Sequence, residues 1–273
     1  MTLTLPTKEL RARLRASLEA LANSVDRTRQ DEGFRDFLRT AARFWEYSPF
    51  NQFLIELQRP RAVRVAGRRF WESLKRRVKE GEQPISILAP SGGGGFILVP
   101  VFNLSQTRGR KLPSIPTASR RHTRHVKTLE RAAAGLGIPV AYVNLPDRVA
   151  GRSLGGRIEV DQVMRGISRA RVLAHELGHE LLHQEEWRKA RTLKRPPTPR
   201  NPAQEETEAD ATAFIVLSAL GLEAPSPTYI AWQGGTGAQV LLSMGRIQRA
   251  ARRILAAAEK ISPGAVRGSW PPR

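Results

Sequence analysis

His175-Glu176-Leu177-Gly178-His179-Glu180-Leu181-Leu182-His183 is the stretch on which the reading of this chain turns. It closes the run 168–183, whose apolar residues recur at helical spacing. On a helix His175 and His179, four residues apart, stack one turn over the other, and both can hold one metal ion. Glu176 comes next around the helix, where a carboxylate can take the proton of a metal-activated water. Two imidazoles and a carboxylate suit Zn2+, and one ion is expected. His183 continues the series, but three stacked imidazoles span ~12 Å, too far for a single ion. Capping or surface packing near the helix end is expected for it instead. Gly178 costs about 1 kcal/mol inside a helix. A close backbone approach from a second helix or a sheet edge would explain its presence.

The third ligand is sought in Glu205-Glu206-Thr207-Glu208-Ala209-Asp210, at the start of a predicted helix over 205–220. Carboxylates also suit a helix N-terminus electrostatically. Glu206 and Asp210 share one face, however. Glu206 could bind the metal while Asp210 accepts the other ring N–H of a ligating histidine. Glu208 points about 200° away around the helix, so it competes with Glu206 for the role. Tyr229 is a candidate oxyanion donor.

The rest of the chain sets the frame. It has 273 residues, with 45 Lys+Arg against 25 Asp+Glu, a net charge of +20. A polyanionic partner is implied, and a role that works by mimicking DNA is excluded. There is no cysteine, which excludes disulfides, thiolate metal sites and cysteine nucleophiles. No apolar run approaches the ~20 residues that span a bilayer, so no membrane partner is expected. The N-terminus lacks a signal-peptide pattern, and a cytoplasmic location in a bacterial or phage-infected cell is the simplest expectation.

Helices are predicted over 8–25, 32–45, 51–58 and 70–78, and a hairpin over 85–88 and 96–102. The glycine run 91–95 between its strands lacks the Gly-Lys-Ser/Thr ending of a phosphate cradle and reads as a hairpin tip. Residues 104–117 are turn-rich and basic. The second half is read as helices over 118–134, 168–183, 205–220 and 237–260, strands over 140–143 and 157–160, and a linker over 185–202. The expected class is α+β: an N-terminal domain over 1–110 with helices and a small antiparallel sheet, a linker over 111–117, a mainly helical domain over 118–261 and a frayed tail over 262–273. Between Arg59 and Glu80 nine basic residues face two acidic ones. Arg59, Arg61, Arg64, Arg68, Arg69, Lys75, Arg76 and Lys79 could track phosphates, and Trp71 could stack on a base. A buried Trp71 beside a solvated basic face is the competing reading. No duplex-reading motif is present. His122 and His125 are expected on a solvated basic face.

These motifs also carry a family resemblance. His175–His183 followed by Glu206-Thr207-Glu208-Ala209-Asp210 resembles the ImmA/IrrE-type zinc metallopeptidases, whose HExxH is followed by E-x-E-A-[ND]. The first Glu of that second motif is the family's third ligand, and it maps to Glu206. In the N-terminal half, Ser48-Pro49-Phe50-Asn51-Gln52-Phe53-Leu54-Ile55, Gln58-Arg59-Pro60, Trp71, Pro84–Pro90 and Val101-Phe102-Asn103-Leu104-Ser105-Gln106-Thr107 resemble the N-terminal domain of ArdC-type antirestriction proteins. Asn103 stands where that family usually has Asp. The resemblance covers about residues 8–260. It implies an N-terminal single-stranded-DNA-binding domain, Asn51 included among its contacts, fused to a zincin-like metallopeptidase domain. The function it implies is a single-stranded-DNA-binding zinc metallopeptidase that protects mobile-element or phage DNA from restriction and acts on an unidentified protein substrate. Two alternatives stand beside it. One is a non-proteolytic coating protein with structural zinc. The other is an ImmA-like protease that cuts a repressor. A strand near 157–160 is expected to offer its edge to substrate.

Overall fold

The computed structural model describes residues 31–91, 96–112, 122–194, 202–222, 237–261 and 266. The predicted helix over 8–25, most of the glycine-rich hairpin tip, Tyr229 and the tail apart from residue 266 lie outside them. The architecture is α+β. The chain divides near residue 115 into two compact units.

In the first unit, helix α1 (Asp31–Arg43) and helix α2 (Pro49–Gln58) pack through stacked Phe37 and Phe53, with ring centroids 4.1 Å apart. Ser48 starts α2: its hydroxyl accepts from the Asn51 N–H, and Pro49, which has no N–H to satisfy, opens the first turn. The hairpin of β3 (Ile85–Pro90) and β4 (Phe96–Asn103) takes β1 (Val65–Ala66) on its far side, giving the order β1-β4-β3. The free edge of β3 is covered by side-chain amides. Asn51 exchanges two hydrogen bonds with the Leu88 backbone, and Gln58 exchanges two with Ser86. An exposed strand edge invites pairing with other chains, and these amides occupy it. Phe44, Tyr47, Ile55, Val65, Ile85 and Val101 form the core.

Helix α3 is short, Arg68–Ser73, and Arg76–Val78 is strand β2, which pairs antiparallel with β5 (Thr107–Gly109). The expected helix over 70–78 is therefore corrected. Lys75 adopts φ 58°, which ends the helix and turns the chain into the ribbon.

In the second unit, helix α4 (His122–Gly135) precedes a mixed sheet of order β6-β8-β7. β6 (Val140–Val143) runs parallel to β8 (Ile158–Asp161), and β7 (Gly151–Ser153) runs antiparallel to it. Because β8 is paired on both sides, it has no free edge, and the expectation for 157–160 is overturned. The two edges belong to β6 and β7, and the Gly-Arg-Ser composition of β7 carries no strand signal. Helix α5 (Gly166–His179) continues through a π-helical turn (Glu180–Gln184) into helix α6 (Glu185–Thr192). The first eight residues of the expected linker are thus helical. Helices α7 (Pro202–Ala219) and α8 (Gly237–Ile261) complete the unit. Leu129, Leu173, Leu177, Ile215, Leu217, Ile247 and Ile254 are fully buried in it. Among the described residues no helix is long and apolar enough to cross a membrane.

Candidate functional site

α5 and α7 run in opposite directions, as the pairings His175–Asp210 and His179–Glu206 show. Their close approach depends on Gly178. A Cβ there would lie 3.1 Å from both the Cα and the carbonyl oxygen of Ala209. The backbone approach expected of this glycine therefore comes from α7. It brings His175, His179 and Glu206 together, with one ligand atom of each within 4.8 Å of the others. His175 Nε2 and His179 Nε2 are 3.0 Å apart, and the Glu206 oxygens lie 3.4 Å and 3.3 Å from them. Ligands ~2.0–2.1 Å from a tetrahedral ion are about 3.3 Å from one another, so these three donors fit one Zn2+-sized cation.

Asp210 Oδ1 lies 2.8 Å from His175 Nδ1. A carboxylate can only accept, so it holds the ring proton on Nδ1 and leaves Nε2 free to donate its lone pair. Burial works against the charged form of His175. The Asp210 hydrogen bond and charge outweigh it and raise the pKa above the ordinary histidine range. In His179 burial, aided by neighbouring His175, lowers the pKa.

Glu176 is 7% exposed. Burial pushes its carboxyl up to about 7, against the charge of His175 and a hydrogen bond from the Ser153 backbone. That bond requires β7 to lie against α5, and Gly151 permits it. A Cβ there would sit 2.5 Å from Val172 Cγ1 and 3.0 Å from Glu176 Cγ. Glu180 ties the same strand down from the next turn, accepting from Ser153 Oγ at 2.6 Å and the Gly155 N–H at 3.1 Å.

Glu208 is fully buried and lies not against His175 and His179 but 3.8 Å from His183 Nδ1. Its Oε1 accepts from Ser243 Oγ and, at 3.2 Å, from Gln204 Nε2. Of the two competing carboxylates the fold brings Glu206 to the histidine pair. His183 is not on the surface but 2% exposed, with Nε2 3.2 Å from the Glu205 carbonyl. His125 is likewise buried rather than solvated, at 9% exposure.

In the first unit three of the expected nucleic-acid contacts are corrected. Trp71 is fully buried, and its Nε1 donates to the Phe102 carbonyl, so no base can stack on it. Asn51 spends its amide on Leu88. Arg76 donates to Thr107 Oγ1 and to the carbonyls of Thr107, Gly109 and Arg110, which makes it a clamp of the β2–β5 ribbon. Arg59 and Lys79 both reach Ser105, and Arg68 lies over the Phe102 ring at 5.2 Å. Arg64 is half-buried, and burial lowers its pKa. Arg61, Arg69 and Lys75 are exposed.

Two cations escaped the sequence reading. Arg77 and Arg108 are directly opposite across the ribbon, and with Glu72, Lys75, Arg76 and Gly109 they line a cleft of about 790 Å3. Like charges in register destabilise a ladder. Gly109 has φ 136°, and a Cβ on it would lie 2.3 Å from the Lys75 carbonyl oxygen. Arg77 lies inside the basic run and could have been named. Arg108 joins it only through a pairing across 30 residues of chain.

No curated protein matches this chain. The chain is similar to the crystal structure of the antirestriction ArdC protein from the R388 plasmid in Mn(II)-bound form. The TM-score is 0.48 and the identity 16%, over 81% of this chain and 97% of that one. The metal-free form of the same protein gives a TM-score of 0.42 and 17% identity, over 80% and 85%. In sequence, residues 6–128, somewhat under half of the chain, match the family of the N-terminal domain of anti-restriction factor ArdC.

Proposed function

We propose that this protein is a metal-dependent peptidase joined to a single-stranded-DNA-binding unit, and that it acts in antirestriction. The observation that carries the peptidase reading is the convergence of His175, His179 and Glu206 beside a buried Glu176. A structural metal site has no use for a buried carboxylate next to its ligands. His175, His179 and Glu206 would hold the ion, taken to be Zn2+. When bound, it supplies Lewis acidity toward a water and a peptide carbonyl. Glu176, raised to about 7, is poised to take a proton from the attacking water and hand it to the departing amine nitrogen. The Ser153 N–H keeps this carboxylate aimed. β7 lies at the sheet edge and lines the same cavity, so an extended substrate can pair with it as an added strand. The antirestriction setting and the DNA-binding unit rest on the family match of residues 6–128. The charge of the Lys75–Arg77–Arg108 cleft supports a phosphate backbone as its ligand.

The test is proteolysis by the zinc-loaded protein, native beside Glu176→Gln, with and without a single-stranded oligonucleotide. An unfolded bystander protein and self-cleavage are both scored. Cleavage that requires Glu176 and rises with the oligonucleotide is expected. Tight oligonucleotide binding by both proteins with no cleavage by either would replace the peptidase with a coating protein.

A further inference from the structure

Ser153 on β7 lines the cavity of about 610 Å3 beside His175 and Glu176, and two carboxylates hold it there. Its backbone N–H donates to Glu176. Its hydroxyl donates to Glu180 Oε2 at 2.6 Å, and the Gly155 N–H reaches the same oxygen at 3.1 Å. Glu176 and Glu180 are four residues apart, one turn after the other. Glu180 opens the π-helical turn that follows α5 and is fully buried. It neither lines the cavity nor belongs to the metal-ligand set. Its other oxygen, Oε1, has no hydrogen bond among the described residues and faces the Arg188 guanidinium at 3.3 Å. Arg188 also lies over the β7–β8 turn, where a Cβ on Gly156 would be 3.4 Å from its Nη1. Burying a carboxylate is costly, and apolar residues of like volume often stabilise a fold as well as a buried ion pair does. Stability alone is therefore a poor account of Glu180. Its hydrogen bonds go to the strand and turn that also hold Glu176.

We propose that Glu180, backed by Arg188, is a positioning residue for Glu176 and acts through Ser153. The assignment rests on the peptidase reading and adds to it groups that line no part of the cavity. β7 has three residues, and among the described residues it pairs only with β8. An edge strand this short opens readily unless something ties it down. The Glu176–Ser153 bond alone would let the carboxylate swing with the strand. Glu180 fixes the hydroxyl of the same residue, so the amide meets Glu176 from one direction. A general base works only within about 0.5 Å and 10–20° of its productive geometry, and an error of about 1 Å costs about a hundredfold in rate.

The test uses the zinc-loaded full chain with fluorophore-labelled, unfolded casein as substrate. Ser153→Ala removes the hydroxyl and keeps the amide. Glu180→Leu removes the carboxylate at similar volume. Each should lower kcat about ten- to a hundredfold with KM within about threefold of native. The double variant should be no slower than Glu180→Leu alone, because both changes cut the same link. Ser153→Thr, which keeps a hydroxyl, should recover most of the rate. Amide hydrogen exchange at residue 153 should quicken in Ser153→Ala, while zinc affinity, read by chelator competition, stays within about threefold. Ser153 is only half-buried, so its variants carry the test if Glu180→Leu does not fold. A raised KM at native kcat, unaltered exchange at residue 153, or effects that multiply in the double variant would overturn the role of Glu180 and leave the peptidase standing. A large loss of zinc affinity in Ser153→Ala would overturn it as well, by assigning Ser153 to metal retention. A native protein that cleaves neither casein nor itself would overturn the peptidase reading and this assignment with it.

Discussion

Glu176 illustrates a residue whose proposed function opposes stability. Its folded pKa, raised to about 7, lies above the ordinary carboxyl value of 4.5. The folded protein therefore resists losing this proton. The penalty is absent below about pH 4.5, grows as pH rises, and is complete above about pH 7. In the chelated, metal-free protein Glu176→Gln should raise stability at pH 8 by about 2–3 kcal/mol, and the gain should vanish near pH 4.5. Denaturant melts at the two pH values check this, and an equal gain at both would reject it. Glu206 and Glu208 separate by chemistry in the same way. Glu206→Ala should weaken zinc binding by at least about a hundredfold, with the melting curve of the chelated protein close to native. Glu208→Ala should instead cost about 1–3 kcal/mol, because it takes the carboxylate acceptor from the buried Ser243 hydroxyl. Competition with a zinc chelator reads the first effect and denaturant melts the second. The outcome that sinks the assignment is a reversal of the two.

At the scale of elements, two glycines set the spacing around α5. Gly178 lets α7 approach from one side, and Gly151 lets β7 approach from the other. Gly151→Ala drives a methyl group into Val172 and Glu176. It should cost about 1–3 kcal/mol by overpacking and displace β7 from the Ser153–Glu176 contact. Hydrogen exchange at the Ser153 amide is the direct measure: it should quicken in the variant, and unaltered protection would show that the contact does not depend on this glycine. The π-helical turn at Glu180–Gln184 belongs to the same scale. It directs Glu180 to β7 and His183 to α7 from adjacent turns, and π-bulges recur where a helix serves a site.

For the molecule as a whole, the proposed partner rests on charge. A net +20 attracts any polyanion, but the in-register Arg77–Arg108 pair concentrates that charge in one cleft. Oligonucleotide affinity should fall steeply with salt, with a log–log slope of about −0.7 for each phosphate neutralised. The double change Arg77→Gln with Arg108→Gln should flatten that slope by about 1–2, whereas Arg61→Gln should alter it less. Equal slopes for all three proteins would remove the cleft from the DNA path. Burial of Trp71 means that aromatic stacking in the first unit must come from another ring or be absent.

The sequence alone determined the helix pair and which of its side chains share a face. Four-residue spacing puts His175 over His179, and the same spacing joins Glu206 to Asp210, because helical periodicity is a local property that requires no knowledge of the fold. It determined the α+β class and the β3–β4 hairpin for the same reason. Tertiary structure decided the rest. Glu206 rather than Glu208 meets the histidines because Gly178 fixes which face of α7 turns inward. β7 takes one edge of its sheet because non-local pairing, not composition, chose its place. Trp71 and Asn51 read as ligand-contacting residues in one dimension, but each is held by a backbone partner more than 30 residues away. A basic or aromatic side chain announces what it can bind; only packing settles whether it faces a ligand or its own chain.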